Sequence, residues 1–217
     1  MLTLSIIDAA AIFDWVIANI NYWWVFLLMV IESSFIPFPS EVIVPPATYL
    51  AVTGGNMNVT AVVVVATAGA IVGALVNYFL AIWIGRPLVY KFANSNIGHA
   101  CLIDEAKVNN AERYFEQHGA ISTFIGRLIP AVRQLISIPA GLARMNIGKF
   151  IAFTGLGALL WNAVLGALGY WLGSTVPLND LYVSVEKYNT YLSYFGIIIG
   201  LVCVAIIIRN VLKHRIK

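Results

Sequence analysis

Two interrupted apolar segments decide the fold: FIPFPSEVIVPPATYLA at residues 35–51 and FIGRLIPAVRQLISIPAGLA at residues 124–143. Each places ionisable side chains and helix-breaking prolines in sequence that is otherwise hydrophobic enough for a lipid bilayer. Broken segments of this kind are typical of membrane transporters, whose sites form where helices stop inside the membrane. We therefore expect the functional site to lie in these two segments.

The composition indicates an all-α integral membrane protein. Of the 217 residues, 60% are hydrophobic and 11% charged, and the mean hydropathy is +0.86. A soluble domain carries roughly 25% charged residues. The length leaves room for about four to six spans of about 20 residues, so we predict one polytopic domain over residues 1–217. The net charge of +3 is small and sits beside apolar segments, which argues against nucleic-acid binding.

The hydropathy pattern predicts about four transmembrane helices and two re-entrant hairpins. The spans are predicted at residues 15–35, 58–84, 150–172 and 191–208, the hairpins at 36–52 and 120–143, an amphipathic surface helix at 102–119 and a basic tail at 209–217. Prolines should cut the hairpins into pieces too short for continuous helices. The residues expected to shape the hairpins are Pro37, Pro39, Pro45, Pro46, Pro130, Pro139 and Gly141.

The basic residues predict the orientation. Ten of the 13 Lys and Arg fall in the loops 86–113 and 144–149 or in the tail 209–217, which the predicted topology puts on one side of the membrane. The positive-inside rule makes that side cytoplasmic, with both termini inside. The two hairpins then have opposite orientations, as in inverted-repeat transporters.

Four charged residues are the candidate site. A membrane disfavours an ionised carboxyl group unless a cation compensates it, so Glu32 and Glu41 are candidate proton carriers. The guanidinium groups of Arg127 and Arg133 suit a phosphate or carboxylate, so they are candidate head-group ligands or counter-ions of the glutamates. A straight helix would separate the arginines by about 120°, and we expect a break at Pro130 to bring them to one cavity. Unwound backbone at 139–141 would line that cavity with free amide and carbonyl groups.

Other interpretations remain open. Two acids and two arginines cancel in charge and could simply lock two hairpins together. The chain has no GxSxG, HExxH, P-loop or CxxC motif, and its histidines and cysteines are too dispersed for a metal site, so we expect neither catalysis nor a cofactor. Gly69 and Gly73 form a GxxxG spacing that predicts close helix packing and is a weak hint of a homo-oligomer.

The motifs also resemble a known family. Glu32 followed by FPSE with Glu41 and PPATYLA, together with GRLIPAVRQLISIPAGLA, is similar to the pattern of the DedA family, whose domain is also called the SNARE-associated or VTT domain. The resemblance extends over about residues 25–172. It implies a bacterial cytoplasmic membrane protein with two opposed re-entrant hairpins that moves lipids between leaflets, with undecaprenyl phosphate or phosphatidylethanolamine as substrate and dependence on the proton motive force. It also matches Glu32, Glu41, Arg127 and Arg133 to the acidic and arginine residues on which family function depends.

Together these observations predict a lipid translocase, either a flippase or a scramblase, that is proton-coupled or proton-regulated. Its partners would be a polyprenyl phosphate or phospholipid and protons. The alternatives are a membrane scaffold that supports envelope integrity without transport, and a proton-coupled transporter of a small solute.

Overall fold

The computed structural model describes residues 15, 17–34, 40–94, 105–129, 132–181, 183–185, 187, 188, 191, 194 and 198. This part of the chain consists of helices and turns and contains no strand, which confirms the all-α prediction. The helices are α1 (Tyr22–Glu32), α2 (Val44–Val52), α3 (Val59–Leu80), α4 (Arg86–Ala93), α5 (Glu105–Leu128), α6 (Ser137–Leu142) and α7 (Ile147–Thr175). A π-helical turn, Ala81–Gly85, joins α3 to α4, and 3-10 turns lie at Ser40–Val42 and Leu178–Asp180.

Two of the described helical stretches are long and apolar enough to cross a membrane. They are Val59–Lys91, with 33 residues and a mean hydropathy of 2.5 over an 18-residue window, and Ile147–Thr175, with 29 residues and a mean hydropathy of 1.7 over such a window. They coincide with the predicted spans at 58–84 and 150–172. The predicted last span, 191–208, and the basic tail lie outside the described residues apart from helical positions 191, 194 and 198. The predicted orientation of the termini therefore stays a prediction.

The first predicted span, 15–35, is wrong as one continuous helix. Residues 15 and 17–19 are helical, but Ile20 and Asn21 are not, and α1 begins only at Tyr22. The Asn21 side chain accepts hydrogen bonds from the backbone amides of Trp23 and Trp24 at 3.0 and 3.1 Å, so it caps a new helix. The 11 residues of α1 extend about 16 Å, about half of the hydrocarbon thickness.

The first interrupted segment also contains a helix where the prolines predict a break. Pro45 and Pro46 lie in the first turn of α2, where a missing backbone N–H costs no helical hydrogen bond. The prediction that these two prolines cut the run into shorter pieces is therefore wrong, because they start a nine-residue helix. Pro37 and Pro39 lie outside the described residues.

The second interrupted segment is broken in its middle, between the end of α5 and the start of α6. The predicted surface helix continues as α5 up to Leu128, turns occupy residues 132–136, and α6 follows. Pro130 lies outside the described residues. The backbone at 139–141 is helical, and its carbonyl groups accept hydrogen bonds from the amides of residues 143–145 at 3.0 Å. The prediction of free backbone groups there is thus wrong, and a re-entrant path for either segment stays a prediction.

Gly141 is needed for space and not for an unusual backbone conformation. It lies within α6, and among the described glycines only Gly54 has a positive φ. A Cβ atom on Gly141 would lie 2.8 Å from the Cβ of Ala81 and would collide with the carbonyl oxygen of Tyr78. The glycine therefore lets α6 contact the end of α3 directly.

Small residues also hold α1 against α3. A Cβ atom on Gly69 would lie 2.5 Å from the carbonyl oxygen of Phe26, and one on Gly73 would lie 2.9 Å from the Cβ of Ser33. The GxxxG spacing is therefore used within the chain, as its packing role predicts. It no longer indicates a homo-oligomer.

The packing of α1 on α3 predicts the effect of a single methyl group. Gly73→Ala forces its Cβ against the backbone of α1, so we expect a loss of about 1–3 kcal/mol of stability. Gly155→Ala on α7 is the matched control, because its Cβ would meet only the end of the Ile71 side chain at 3.2 Å. Thermal unfolding of the purified variants in detergent measures the difference. Equal midpoints for the two variants would contradict this packing.

Candidate functional site

The four predicted residues meet in one buried group, which we call the charged cluster: Glu32, Glu41, Arg127 and Arg133. Glu32 is the last residue of α1, and Glu41 lies in the 3-10 turn before α2. Arg127 lies in the last turn of α5, and Arg133 lies in the turn region before α6. Each of the four residues is at most 7% exposed. The cluster forms because two helices end and two turns begin at the same place.

Arg133 is the centre of the cluster. Its Nη2 lies 3.0 Å from Oε1 of Glu32 and 3.4 Å from both carboxylate oxygens of Glu41. One guanidinium nitrogen therefore contacts one carboxylate from the end of α1 and one from within the first interrupted segment. The second oxygen of Glu32 accepts a hydrogen bond from the Ser33 hydroxyl at 2.7 Å.

The other two guanidinium nitrogens of Arg133, Nε and Nη1, make no hydrogen bond with the described residues. Its guanidinium carbon lies 5.3 Å from the ring centre of Trp161 on α7, which is within the range of a cation–π interaction. Because buried donors without partners are costly, this arginine has capacity to bind a further acceptor.

Arg127 has a different environment. Its Nη2 donates a hydrogen bond to the hydroxyl of Ser137 on α6 at 3.1 Å. Its guanidinium makes no ion pair with a described residue, and its Nε has no hydrogen-bond partner among them. Gly157 on α7 provides the space, since a Cβ there would lie 2.6 Å from the Cβ of Arg127. Arg127 is thus a buried cation beside the Arg133 ion pairs.

The space at the cluster is very small. A cavity of about 10 Å³ lies between the helices, lined by Met29, Glu32, Ser33, Ser40, Ala70, Arg127, Arg133, Ala158, Trp161 and Asn162. That volume is close to the smallest that holds one water molecule. Sites for small molecules have volumes of about 300–1,000 Å³. The cavity in this structure is therefore too small to hold a small-molecule ligand.

Asn77 connects the end of α1 to the second interrupted segment beside the cluster. Its side-chain amide, buried in α3, donates to the carbonyl oxygens of Ser33 at 3.3 Å and Gln134 at 3.2 Å. These carbonyl groups belong to the residues directly after Glu32 and Arg133. An amide inside an apolar span is itself a signal of a specific contact.

The other predicted residues are not part of the cluster. Pro45 and Pro46 begin α2, and Pro139 and Gly141 lie in α6, away from the lining of the cavity. Sequence reasoning missed Trp161 and Ser137, because aromatic and hydroxyl side chains are common in membrane helices and gave no distinct signal. Within the described ranges, no group of three or more His, Cys, Asp or Glu is placed to hold a metal ion.

Comparisons with known proteins agree with the resemblance of the motifs. The VTT domain matches residues 38–171. The chain is 31% identical over 199 residues to an alkaline phosphatase-like protein of Lactococcus lactis subsp. lactis, covering 92% of this chain and 90% of the relative. It is 31% identical over 158 residues to undecaprenyl phosphate transporter A of Bacillus subtilis, covering 73% of this chain and 75% of the relative. It is 27% identical over 201 residues to the protein DedA of Escherichia coli, covering 89% of this chain and 83% of the relative.

No solved structure matches the chain. The matched domain nevertheless covers more than half of the sequence, including residues 38–51 of the first interrupted segment and all of the second. The chain therefore belongs to the DedA family of membrane proteins, which is defined by the VTT domain.

Proposed function

We propose that this protein translocates a lipid phosphate between membrane leaflets, with undecaprenyl phosphate as the first candidate and a phospholipid as the second. The observation that carries the proposal is the buried pair of arginines, of which one is neutralised by two glutamates and the other has no carboxylate partner in the described structure. The relatives named undecaprenyl phosphate transporter A support the choice of substrate.

The donors of the two arginines suit a phosphate group. A guanidinium presents its N–H groups in a planar fork that binds two phosphate oxygens at once. Nε and Nη1 of Arg133 and Nε of Arg127 have no hydrogen-bond partner within the described residues. A phosphate between the arginines would satisfy these donors. The carboxylates of Glu32 and Glu41 occupy the remaining nitrogen of Arg133 and would compete with it.

The charge balance explains why protons would be needed. With both glutamates and both arginines ionised, the charged cluster is neutral. A phosphate monoester adds about −1.5 to −2 charges, and an uncompensated buried charge is strongly unfavourable. Uptake of one or two protons by Glu32 and Glu41 restores neutrality and releases Nη2 of Arg133. Lipid binding and protonation would therefore favour each other.

Substrate entry also requires an opening of the site. The cavity of about 10 Å³ is too small for a lipid head group. The ion pairs of Arg133 join the first interrupted segment to the second. We infer that losing these ion pairs on protonation allows the two segments to separate and admit the phosphate.

The alternatives use the same contacts differently. A scaffold protein could use the ion pairs only to lock its two segments, and a transporter of small anions could use the same two arginines. The name of the alkaline phosphatase-like relative adds hydrolysis of a phosphate ester as an outcome to be measured. Purified protein in liposomes separates these possibilities when transbilayer movement of labelled undecaprenyl phosphate and phosphatidylethanolamine is followed together with phosphate release.

Replacing each guanidinium group by an ammonium group tests whether the arginines bind the phosphate. Arg127→Lys and Arg133→Lys keep the charge but lose the planar pair of donors, so we expect lipid movement to fall about tenfold or more, which corresponds to about 1.4 kcal/mol. Arg113→Lys, on the exposed side of α5, is the matched control. Wild-type rates in both cluster variants would remove the arginines from the substrate site.

The pH dependence tests the role of the glutamates. Lipid movement should rise as the pH falls, because protonation releases Arg133. Glu32→Gln and Glu41→Gln mimic the protonated carboxyl group, so the variant that replaces the proton carrier should lose this rise and stay active at high pH. Glu116→Gln, exposed on α5, is the control. If both cluster variants keep the wild-type pH profile, neither glutamate carries the regulating proton.

A further inference from the structure

A second, larger pocket lies away from the charged cluster, between α4, α5 and α6. Its volume is about 390 Å³, which falls in the range of small-molecule sites. Its lining residues are Arg86, Val89, Tyr90, Val108, Glu112, Phe115, Pro139, Leu142 and Ala143. The lining is mostly apolar, with Arg86, Tyr90 and Glu112 as its polar members. We call it the interfacial pocket.

A polar groove adjoins this pocket. The groove has a volume of about 410 Å³ and is lined by Ile82, Arg86, Pro87, Tyr90, Asn109 and Arg144. Arg86 and Tyr90 line both spaces. An apolar pocket and a polar groove thus meet at the same two side chains, which is the arrangement that an amphiphilic ligand requires.

The residues at the junction form a fixed network. Arg86 donates to the Leu142 carbonyl oxygen at 3.1 Å and to Glu112 at 2.9 Å, and its guanidinium carbon lies 5.3 Å from the ring centre of Tyr90. The Tyr90 hydroxyl donates to Asn109 Oδ1 at 2.7 Å. Because these contacts join α4, α5 and α6, the junction is built before any ligand arrives.

The net positive charge of the groove favours an anionic ligand. Glu112 neutralises Arg86, but Arg144 is exposed and makes no ion pair with any residue that the structure describes. The lining of the pocket and groove therefore carries one uncompensated positive charge. The head group of an anionic phospholipid balances it, because the negative charge of its phosphodiester is not cancelled by an ammonium group.

The position along the chain indicates a membrane lipid. Arg86 lies near the end of the membrane-length stretch Val59–Lys91, and the exposed Trp83 comes one turn earlier. Tryptophan and arginine side chains at the end of a span are typical of the boundary between lipid and water. Basic pockets between helices at this level bind anionic lipid head groups.

From these observations we propose that the interfacial pocket binds one anionic phospholipid of the surrounding bilayer, with an acyl chain in the apolar part and its phosphodiester beside Arg144. The site is separate from the charged cluster, and its occupation does not depend on lipid translocation. It shares α6 with the cluster, because Ser137 contacts Arg127 while Pro139 and Leu142 line the pocket.

The test compares lipid binding to the purified full chain by native mass spectrometry, with phosphatidylglycerol and phosphatidylcholine as probes at equal concentrations. We expect about tenfold tighter binding of phosphatidylglycerol. Arg144→Asn should abolish this preference, because it removes the charge while asparagine tolerates the positive φ of 49° at this position. Lys149→Gln, which removes an exposed charge outside the groove, should keep the preference.

A second pair of variants tests the apolar part. Val89→Trp fills the pocket and should weaken the binding of both lipids at least fivefold, whereas Leu88→Trp, on the neighbouring exposed position, should leave it unchanged. Equal binding of the two lipids by the wild-type chain, or a preference that survives Arg144→Asn, would overturn the proposal. Equal binding by the two tryptophan variants would also overturn it.

Discussion

The buried guanidinium of Arg133 is the interaction on which the rest of the structure depends. A charge removed from water must be balanced within the protein, because its desolvation is costly. Glu32 at the end of α1 and Glu41 before α2 provide this balance. The ring of Trp161 on α7 packs against the guanidinium group. The need to neutralise one arginine thus brings together elements that are distant in the sequence. Asn77 adds hydrogen bonds to the backbone of Ser33 and Gln134, the residues that directly follow Glu32 and Arg133.

In the structure, the two glutamates and two arginines of the charged cluster are buried together and, when all are ionised, sum to zero charge. In the proposed mechanism, Glu32 and Glu41 compensate the charge of an entering anion by taking up protons. The unpaired donors of both arginines in the described structure are the groups that the proposed phosphate would bind. A purely structural lock would need the ion pairs but would gain nothing from the unpaired donors.

The sequence predicts the chemistry of the site better than its geometry. The two glutamates and two arginines are recognisable because charged residues are rare in apolar segments. The positions of helix ends were harder to predict, since Asn21 caps a helix inside an apolar run and Pro45 begins one. Trp161 and Asn77 reach the site through tertiary packing, which a single sequence does not encode in any local pattern. The size of the cavity likewise depends on how all the helices pack.

The most direct test of this account is the infrared difference spectrum of the purified protein when undecaprenyl phosphate is added near neutral pH. The account predicts that a band of a protonated carboxyl group appears on binding and that it is lost when both Glu32 and Glu41 are replaced by Gln. Binding of the lipid without any change in the protonation of these two carboxyl groups would contradict it.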